Sequence, residues 1–155
     1  MTSSRRSFLA TAAAAVVTAP QAGWARSADR IHVLKDANCG CCTAWIDILR
    51  QGGFDVTAEN SLGTRLFRFK QDNGIPRDMT SCHTARIDGY MIEGHVPVAD
   101  IRRLLAERPD AVGLTVPGMP YGSPGMGPED DRDAYDVYLI RRDGSTEVFS
   151  SYDDA

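Results

Sequence analysis

All four cysteines of this 155-residue chain lie in two short segments. Cys39, Cys41 and Cys42 follow a β-like run with only Gly40 among them, and Cys82 lies in a separate segment further along. Disulfides that stabilise a fold usually join distant segments, and three thiols within four residues cannot form three independent crosslinks. The arrangement therefore indicates a reactive or metal-binding centre.

The N-terminus has the features of a bacterial export signal of the twin-arginine type. Arg5 and Arg6 precede an apolar run of small residues over 10–19, and residues 23–25 offer a cleavage site with small side chains at its −3 and −1 positions. The apolar run is well short of the roughly 20 residues that span a bilayer, so a permanent anchor is the weaker alternative. We therefore predict an export signal over residues 1–25.

Residues 26–155 are predicted to form a single small metal-binding domain in the periplasm. Removal of the signal takes away two arginines and no acidic residue, so the formal net charge changes from −4 to about −6. Because no basic stripe is present to meet phosphates, nucleic acid is not an expected partner. No membrane contact is expected after the signal is cleaved.

The hydrophobic patterns predict an α/β domain with the element order β-α-β-α-β-β-α, which is that of a thioredoxin-like fold. A Gly/Pro/Met-rich loop over 116–128 and a C-terminal β-hairpin follow this domain. In a thioredoxin-like fold the first helix begins at the C-x-x-C pair, and the loop before the third strand packs against that helix N-terminus. We therefore expect the two cysteine segments to meet. The predicted strands are 30–35, 54–58, 84–87, 90–94, 135–140 and 146–152, and the predicted helices are 43–52, 61–71 and 97–107.

A helix N-terminus stabilises the thiolate form of cysteine, which is the form that binds metals and attacks disulfides. A dithiol oxidoreductase needs one nucleophilic and one resolving thiol, so Cys41 would be surplus beside the Cys39/Cys42 pair, and Cys82 would be a further competitor. Several thiolates with methionine sulfurs nearby form a soft donor set that selects Cu(I) over harder ions. The pattern therefore favours metal binding, with copper as the first candidate.

Three alternatives remain open at this stage. One tetrahedral zinc ion would use the four cysteines, or three cysteines and His83, but the adjacent Cys41 and Cys42 are not expected to point at one ion. Thiolates that bridge several Cu(I) ions suit this crowding better. Thiol redox chemistry at the Cys39/Cys42 pair is the second interpretation. Plain disulfides are the third, and the spacing does not choose among three possible pairings.

Four segments of the chain together resemble the CopG-type periplasmic copper-resistance proteins, formerly a family of unknown function: Asn38–Cys42, Ser81–Ala85, Gly89–Pro97 and Val112–Pro120. The resemblance implies a thioredoxin-like fold whose four cysteines hold a polynuclear copper cluster. It also implies a role in handling copper or silver in the periplasm. The ligands that it carries over are Cys39, Cys41, Cys42 and Cys82.

The three histidines receive different interpretations. His83 adjoins a predicted ligand and is a candidate accessory ligand, or a donor that orients one, although a turn histidine that only binds backbone is the alternative. For His95, which precedes a predicted helix, we favour a structural or capping role. His32 lies on a strand and is expected to face solvent or a partner within the sheet.

Met119 and Met126 of the Gly/Pro-rich loop are candidate thioether ligands, and Trp45 is expected in the core or as a shield over the thiolates. We therefore predict a periplasmic copper-binding protein of copper resistance, a metal-binding protein rather than an enzyme, with copper redox cycling as an additional option. Copper or silver ions and other periplasmic copper-handling proteins are the expected partners. The alternative is an exported thiol-disulfide oxidoreductase that uses Cys39 and Cys42.

Overall fold

The computed structural model describes residues 29–155, so the predicted export signal lies outside the described residues. They form ten regular elements and two short 3-10 turns, Arg77–Met79 and Glu129–Asp131. In chain order the elements are β1 (Arg30–Lys35), α1 (Gly40–Gln51), β2 (Asp55–Asn60), α2 (Gly63–Asp72), β3 (His83–Ile87), β4 (Tyr90–Glu93), α3 (Val98–Glu107), β5 (Gly113–Thr115), β6 (Tyr135–Ile140) and β7 (Thr146–Tyr152).

The seven strands form one mixed sheet in the order β2-β1-β3-β4-β5-β6-β7. β1 pairs in parallel with β2 and antiparallel with β3, and β3 continues into β4 through a hairpin. The predicted β-α-β-α-β-β-α order of a thioredoxin-like domain is therefore confirmed. The C-terminal hairpin is confirmed as well, and it extends the sheet at its β5 edge.

β5 is a strand that the sequence patterns did not predict. It has only three residues, all of them buried, so no polar alternation marks it. Its pairing is set by tertiary structure, since it runs parallel to β4 with Met91 opposite Gly113 and antiparallel to β6. β5 thereby joins the terminal hairpin to the rest of the sheet.

The first helix begins at Gly40, three residues earlier than predicted. Cys39 is its N-cap, and the Cys39 sulfur accepts a hydrogen bond from the Cys42 N–H at 3.3 Å. This side-chain cap satisfies one of the free amides of the first turn, so the helix can start within the cysteine segment. The helical spacing predicts an apolar face of Ala44, Trp45, Ile48 and Leu49. The structure differs from it, because Ile46 is buried and Ala44 is exposed.

The spacing of Leu62, Leu66 and Phe69 predicts one apolar face for α2, and the structure differs from it at Leu62. Leu62 lies just before the helix and is 78% exposed, whereas Leu66 is buried as expected. Lys70 occupies the next turn of the same face and is also buried. A lysine therefore takes an inward position on this helix.

The sheet has a core on each face. The larger core lies under α1 and α3, and the smaller one, with Ile75, Met91 and Ile140 at its centre, lies on the face that α2 covers. Over residues 29–155 no helix has both the length and the apolar character needed to cross a bilayer. The larger core includes Ile31, Val33, Trp45, Ile46, Leu49, Ala85, Ile87, Ile92, Ile101, Leu104, Leu114, Val137 and Leu139.

Among the glycines of the sheet, Gly113 is expected to tolerate an added side chain least. A Cβ at this position would lie 1.7 Å from the Met91 carbonyl oxygen of the paired strand, and that backbone atom cannot rotate away. We predict that Gly113→Ala lowers the free energy of unfolding by about 3 kcal/mol, measured by urea denaturation with circular dichroism. Gly63→Ala is the control, because nothing lies within 4 Å of its Cβ position. Equal unfolding midpoints for the two variants would contradict the assignment of β5.

Candidate metal centre

The two cysteine segments meet at one end of the sheet, as predicted. Cys39, Cys41 and Cys42 stand at the N-terminus of α1, which directly follows the β1 strand, and Cys82 immediately precedes β3. Because β3 runs antiparallel to β1, with His83 opposite Lys35, the start of β3 lies beside the end of β1. The four sulfurs lie within 4.8 Å of one another.

The shortest contacts between non-bonded sulfurs centre on Cys41 and Cys82. Cys41 Sγ lies 3.5 Å from Cys39 Sγ and 3.9 Å from Cys82 Sγ, and Cys42 Sγ lies 3.5 Å from Cys82 Sγ. Cys42 is buried, whereas the other three cysteines are half-buried. The four sulfur donors therefore lie together at a partly exposed position that a metal ion can reach.

The expectation that Cys41 and Cys42 cannot converge on one ion is wrong. Both sulfurs lie near Cys82, because the first turn of α1 directs them toward the segment that precedes β3. A tetrahedral site with metal–sulfur bonds of about 2.3 Å has sulfur separations of about 3.8 Å, close to the distances between Cys82 and its two neighbours. The sulfurs of Cys41 and Cys42 are therefore spaced from Cys82 as in a site for a single ion.

Cys39 and Cys42 form a disulfide, and Cys41 and Cys82 are free thiols. Of the three pairings that the spacing left open, the structure contains one bridge of one pairing, Cys39–Cys42, and the sulfurs of Cys41 and Cys82 stay 3.9 Å apart. In this oxidised state Cys39 and Cys42 do not provide thiolates. Metal binding by all four cysteines therefore requires the reduced form of this pair.

Cys82 lies between two imidazoles. Its sulfur is 3.3 Å from His83 Nδ1 and 3.2 Å from His95 Nε2. Burial, followed by the neighbouring Cys41 thiol, raises the pKa of Cys82 from 9.0 to about 11. Cys82 is therefore a protonated thiol at neutral pH, and a bound metal must displace that proton.

His95 is a residue whose position the sequence did not reveal. Of the structural or capping role predicted for it, the capping part is wrong, because the N-cap of α3 is Pro97. The structural part agrees with a hydrogen bond from His95 to the Gly/Pro-rich loop. Nδ1 of His95 lies 2.7 Å from the Pro124 carbonyl oxygen, to which it donates, and this bond leaves the lone pair of Nε2 facing Cys82. Burial lowers the pKa of His95, so the ring is neutral and suited to a metal.

His83 is fully buried behind Cys82. Its ring lies 4.3 Å from the Trp45 ring and 4.9 Å from the His95 ring. Burial, with the neighbouring His95 and Lys70, lowers its pKa well below the ordinary value. Within residues 29–155 its Nε2 has no hydrogen-bond partner, so Nδ1 is the nitrogen that faces a donor or ligand. The structure therefore leaves His83 available as an accessory donor beside Cys82.

Trp45 and His32 lie as expected. Trp45 is fully buried in the core, and its Nε1 donates to the Val96 carbonyl at 2.9 Å. His32 is exposed on β1, where its Nδ1 lies 3.0 Å from Thr57 Oγ1. His32 thus takes no part in the cysteine cluster.

The Gly/Pro-rich loop packs against both cysteine segments. The Ser81 hydroxyl donates to the Gly118 carbonyl, and a Cβ on Gly125 would lie 3.1 Å from the Cys41 carbonyl oxygen. Met119 follows Gly118 and is 54% exposed, whereas Met126 follows Gly125 and is half-buried. Each methionine is thus next in sequence to a glycine that lies near a cysteine segment, and the role of Met119 and Met126 as thioether ligands stays a prediction.

Comparisons with known proteins identify relatives of this chain. Two solved structures, named copper resistance protein CopG form 1 and form 2, are each 48% identical to it, with TM-scores of 0.75 and 0.74. Each match covers 81% of this chain and 98% of the other. A family model described as a protein of unknown function, DUF411, matches residues 79–126. No curated protein matches the sequence.

The raised pKa of Cys82 leads to a prediction for the metal-free, oxidised protein. Because only the thiolate reacts, alkylation of Cys82 by iodoacetamide at pH 8 should be roughly a hundredfold slower than that of a thiol with the ordinary pKa. The rate should reach half of its maximum near pH 11. Peptide mass spectrometry measures this rate separately from that of Cys41. Half-maximal reactivity at pH 9 or below would contradict it.

Proposed function

Because the chain belongs to the CopG family of copper-resistance proteins, we propose that it binds Cu(I) through cysteine thiolates in copper resistance or homeostasis. One observation carries this proposal: four cysteine sulfurs lie within 4.8 Å of one another at the N-terminus of α1. Thiolate sulfur is a soft ligand that favours Cu(I) over harder ions. At these separations one thiolate can bridge two ions, which supports a polynuclear site.

The proposed ligands are Cys39, Cys41, Cys42 and Cys82, with additional donors around them. His83 and His95 offer neutral imidazoles on either side of Cys82. The loop that carries Met119 and Met126 packs against both cysteine segments, which supports these methionines as additional thioether donors. Copper is the proposed cargo of this site, and silver shares its preference for soft ligands.

Copper binding by all four cysteines depends on the redox state of the protein. Two electrons and two protons convert the Cys39–Cys42 disulfide to two thiols, which lose their protons when a metal binds. In the oxidised state Cys41 and Cys82 remain with the two imidazoles. The reduced protein should therefore hold more copper than the oxidised protein.

We further propose that residues 1–25 direct export by the twin-arginine route and that the protein works in the periplasm. The twin arginines and the short apolar run support this location. In that compartment the protein would act as a metal-binding protein rather than an enzyme, and it would exchange copper with other copper-handling proteins.

A second candidate function is thiol-disulfide exchange. The Cys39–Cys42 disulfide at the start of α1 favours it, because the Cys42 N–H donates to the Cys39 sulfur and would stabilise a thiolate there. In this reaction the Cys39 thiolate would attack a substrate disulfide. Cys42 would then resolve the mixed disulfide, leaving the substrate reduced and the Cys39–Cys42 pair oxidised.

Substitution of Cys41 distinguishes copper binding from thiol-disulfide exchange. We predict that the reduced protein, without residues 1–25, binds more than one Cu(I) per chain and that Cys41→Ser binds fewer, as measured anaerobically by elemental analysis. The same variant should keep any insulin-reducing activity, because thiol-disulfide exchange needs only Cys39 and Cys42. Cys42→Ser should lose both properties. A single zinc ion per chain, or insulin reduction without any copper binding, would contradict the copper proposal.

His95 should contribute to the affinity for copper. We predict that His95→Gln weakens Cu(I) binding by about 10- to 100-fold, because it removes the imidazole nitrogen next to the Cys82 sulfur. Competition with a chromophoric Cu(I) chelator measures this affinity. His32→Gln is the matched control, since that histidine is exposed and bound to Thr57. Equal affinities for the two variants would exclude a role for His95.

A further inference from the structure

A lysine and a glutamate form a buried ion pair on the α2 face of the sheet. Lys70 Nζ lies 2.5 Å from Glu93 Oε1, and the two side chains are 4% and 0% exposed. Burial of two charges costs desolvation free energy, and apolar side chains of similar size often stabilise a fold as well or better. Stability alone therefore does not account for this pair.

Both members of the pair bind Ser81, the residue before Cys82. Glu93 Oε1 accepts a hydrogen bond from the Ser81 N–H at 2.6 Å, and Lys70 Nζ donates to the Ser81 carbonyl oxygen at 2.6 Å. Ser81 lies outside the regular elements, between a 3-10 turn and β3. The ion pair thus holds the N–H and the C=O of one residue in an otherwise irregular segment.

The ion pair and the α1 cysteines lie on opposite faces of the sheet. Glu93 alternates along β4 with Ile92, which packs in the core under α1, and shares its face with Met91, which packs in the core under α2. The larger core therefore positions Cys41 and Cys42, whereas the ion pair acts on the Cys82 segment from the other side. The 3.5 Å separation of the Cys42 and Cys82 sulfurs therefore depends on the packing of both faces of the sheet.

Close packing strengthens this hold on the Cys82 segment. Gly94, next to Glu93, has a φ of +72°, and a Cβ there would lie 2.6 Å from the Ser81 Cβ. The Ser81 hydroxyl also donates a hydrogen bond to the Gly118 carbonyl of the Gly/Pro-rich loop. Ser81 is therefore fixed from the sheet, from α2 and from the loop at once.

We propose that Lys70 and Glu93 are positioning residues that place the Cys82 sulfur for copper binding by holding the Ser81 backbone. The proposal rests on the proposed copper-binding function, because it assigns these residues a role in that site. The effect of Lys70 and Glu93 on the position of Cys82 is distinct from their effect on the stability of the fold. An apolar pair can replace the packing of the ion pair, but it cannot bind the N–H and C=O of Ser81.

The test compares three variants of the protein without residues 1–25: Glu93→Gln, Lys70→Met, and the double variant Lys70→Met/Glu93→Leu. We expect the double variant to unfold at a temperature close to that of the unaltered protein, because an apolar pair removes the desolvation cost. We expect its Cu(I) affinity to stay at least about tenfold lower. Ile140→Ala, a core substitution on the same face of the sheet, should lower stability yet leave the affinity within about twofold.

Two further measurements decide whether the effect passes through Cys82. In a Cys82→Ser background, the double substitution Lys70→Met/Glu93→Leu should no longer change the Cu(I) affinity, because residues that act through one group are not additive. In the metal-free, oxidised protein, the same double substitution should change the alkylation rate of Cys82 several-fold. Full Cu(I) affinity in the double variant, or an unchanged effect of the double substitution without Cys82, would overturn the proposal.

The alkylation measurement also separates this proposal from the proposed function. If the unaltered protein binds no Cu(I), the copper function fails, while the alkylation rate still reports whether the ion pair positions Cys82. If the unaltered protein binds Cu(I) and neither affinity nor alkylation responds to the variants, only the positioning role fails.

Discussion

The antiparallel pairing of β1 with β3 is the constraint on which the candidate metal centre depends. The register places His83 opposite Lys35, so the residues that follow β1 and those that precede β3 lie at the same end of the sheet. The helix that carries three cysteines begins there, and Cys82 arrives on the neighbouring strand. A shift of one residue in this register would turn the β3 side chains to the other face and remove the imidazole of His83 from Trp45 and Cys82.

The redox state of Cys39 and Cys42 changes which ligands the four cysteines can offer. With Cys39 and Cys42 oxidised, the site offers two thiols and two neutral imidazoles, and burial keeps the Cys82 thiol protonated. With the pair reduced, it offers four sulfurs on a partly exposed surface. The redox state of one disulfide therefore determines how many sulfur ligands are available.

Most of the domain was predictable because its strands and helices have strong periodic patterns. β1 shows an alternation that matches its bounds, and the C-terminal hairpin is marked by its turn. β5 was not predictable, since its three buried residues form a strand only because β4 and β6 pair with them. The early start of α1 was also missed, because the cap is a cysteine sulfur rather than one of the usual oxygen-bearing side chains.

For the site, the sequence by itself determined which donors are present and that the two cysteine segments meet, because the order of the elements sets the ends of β1 and β3 side by side. Only the tertiary structure decided which sulfurs pair, that His95 faces Cys82, and that Lys70 and Glu93 bind Ser81. A lysine at an inward position of α2 and a glutamate at the end of a buried strand were the available signals for that pair. The physical reason is that these contacts join residues distant in the chain, and their geometry depends on how both faces of the sheet are packed.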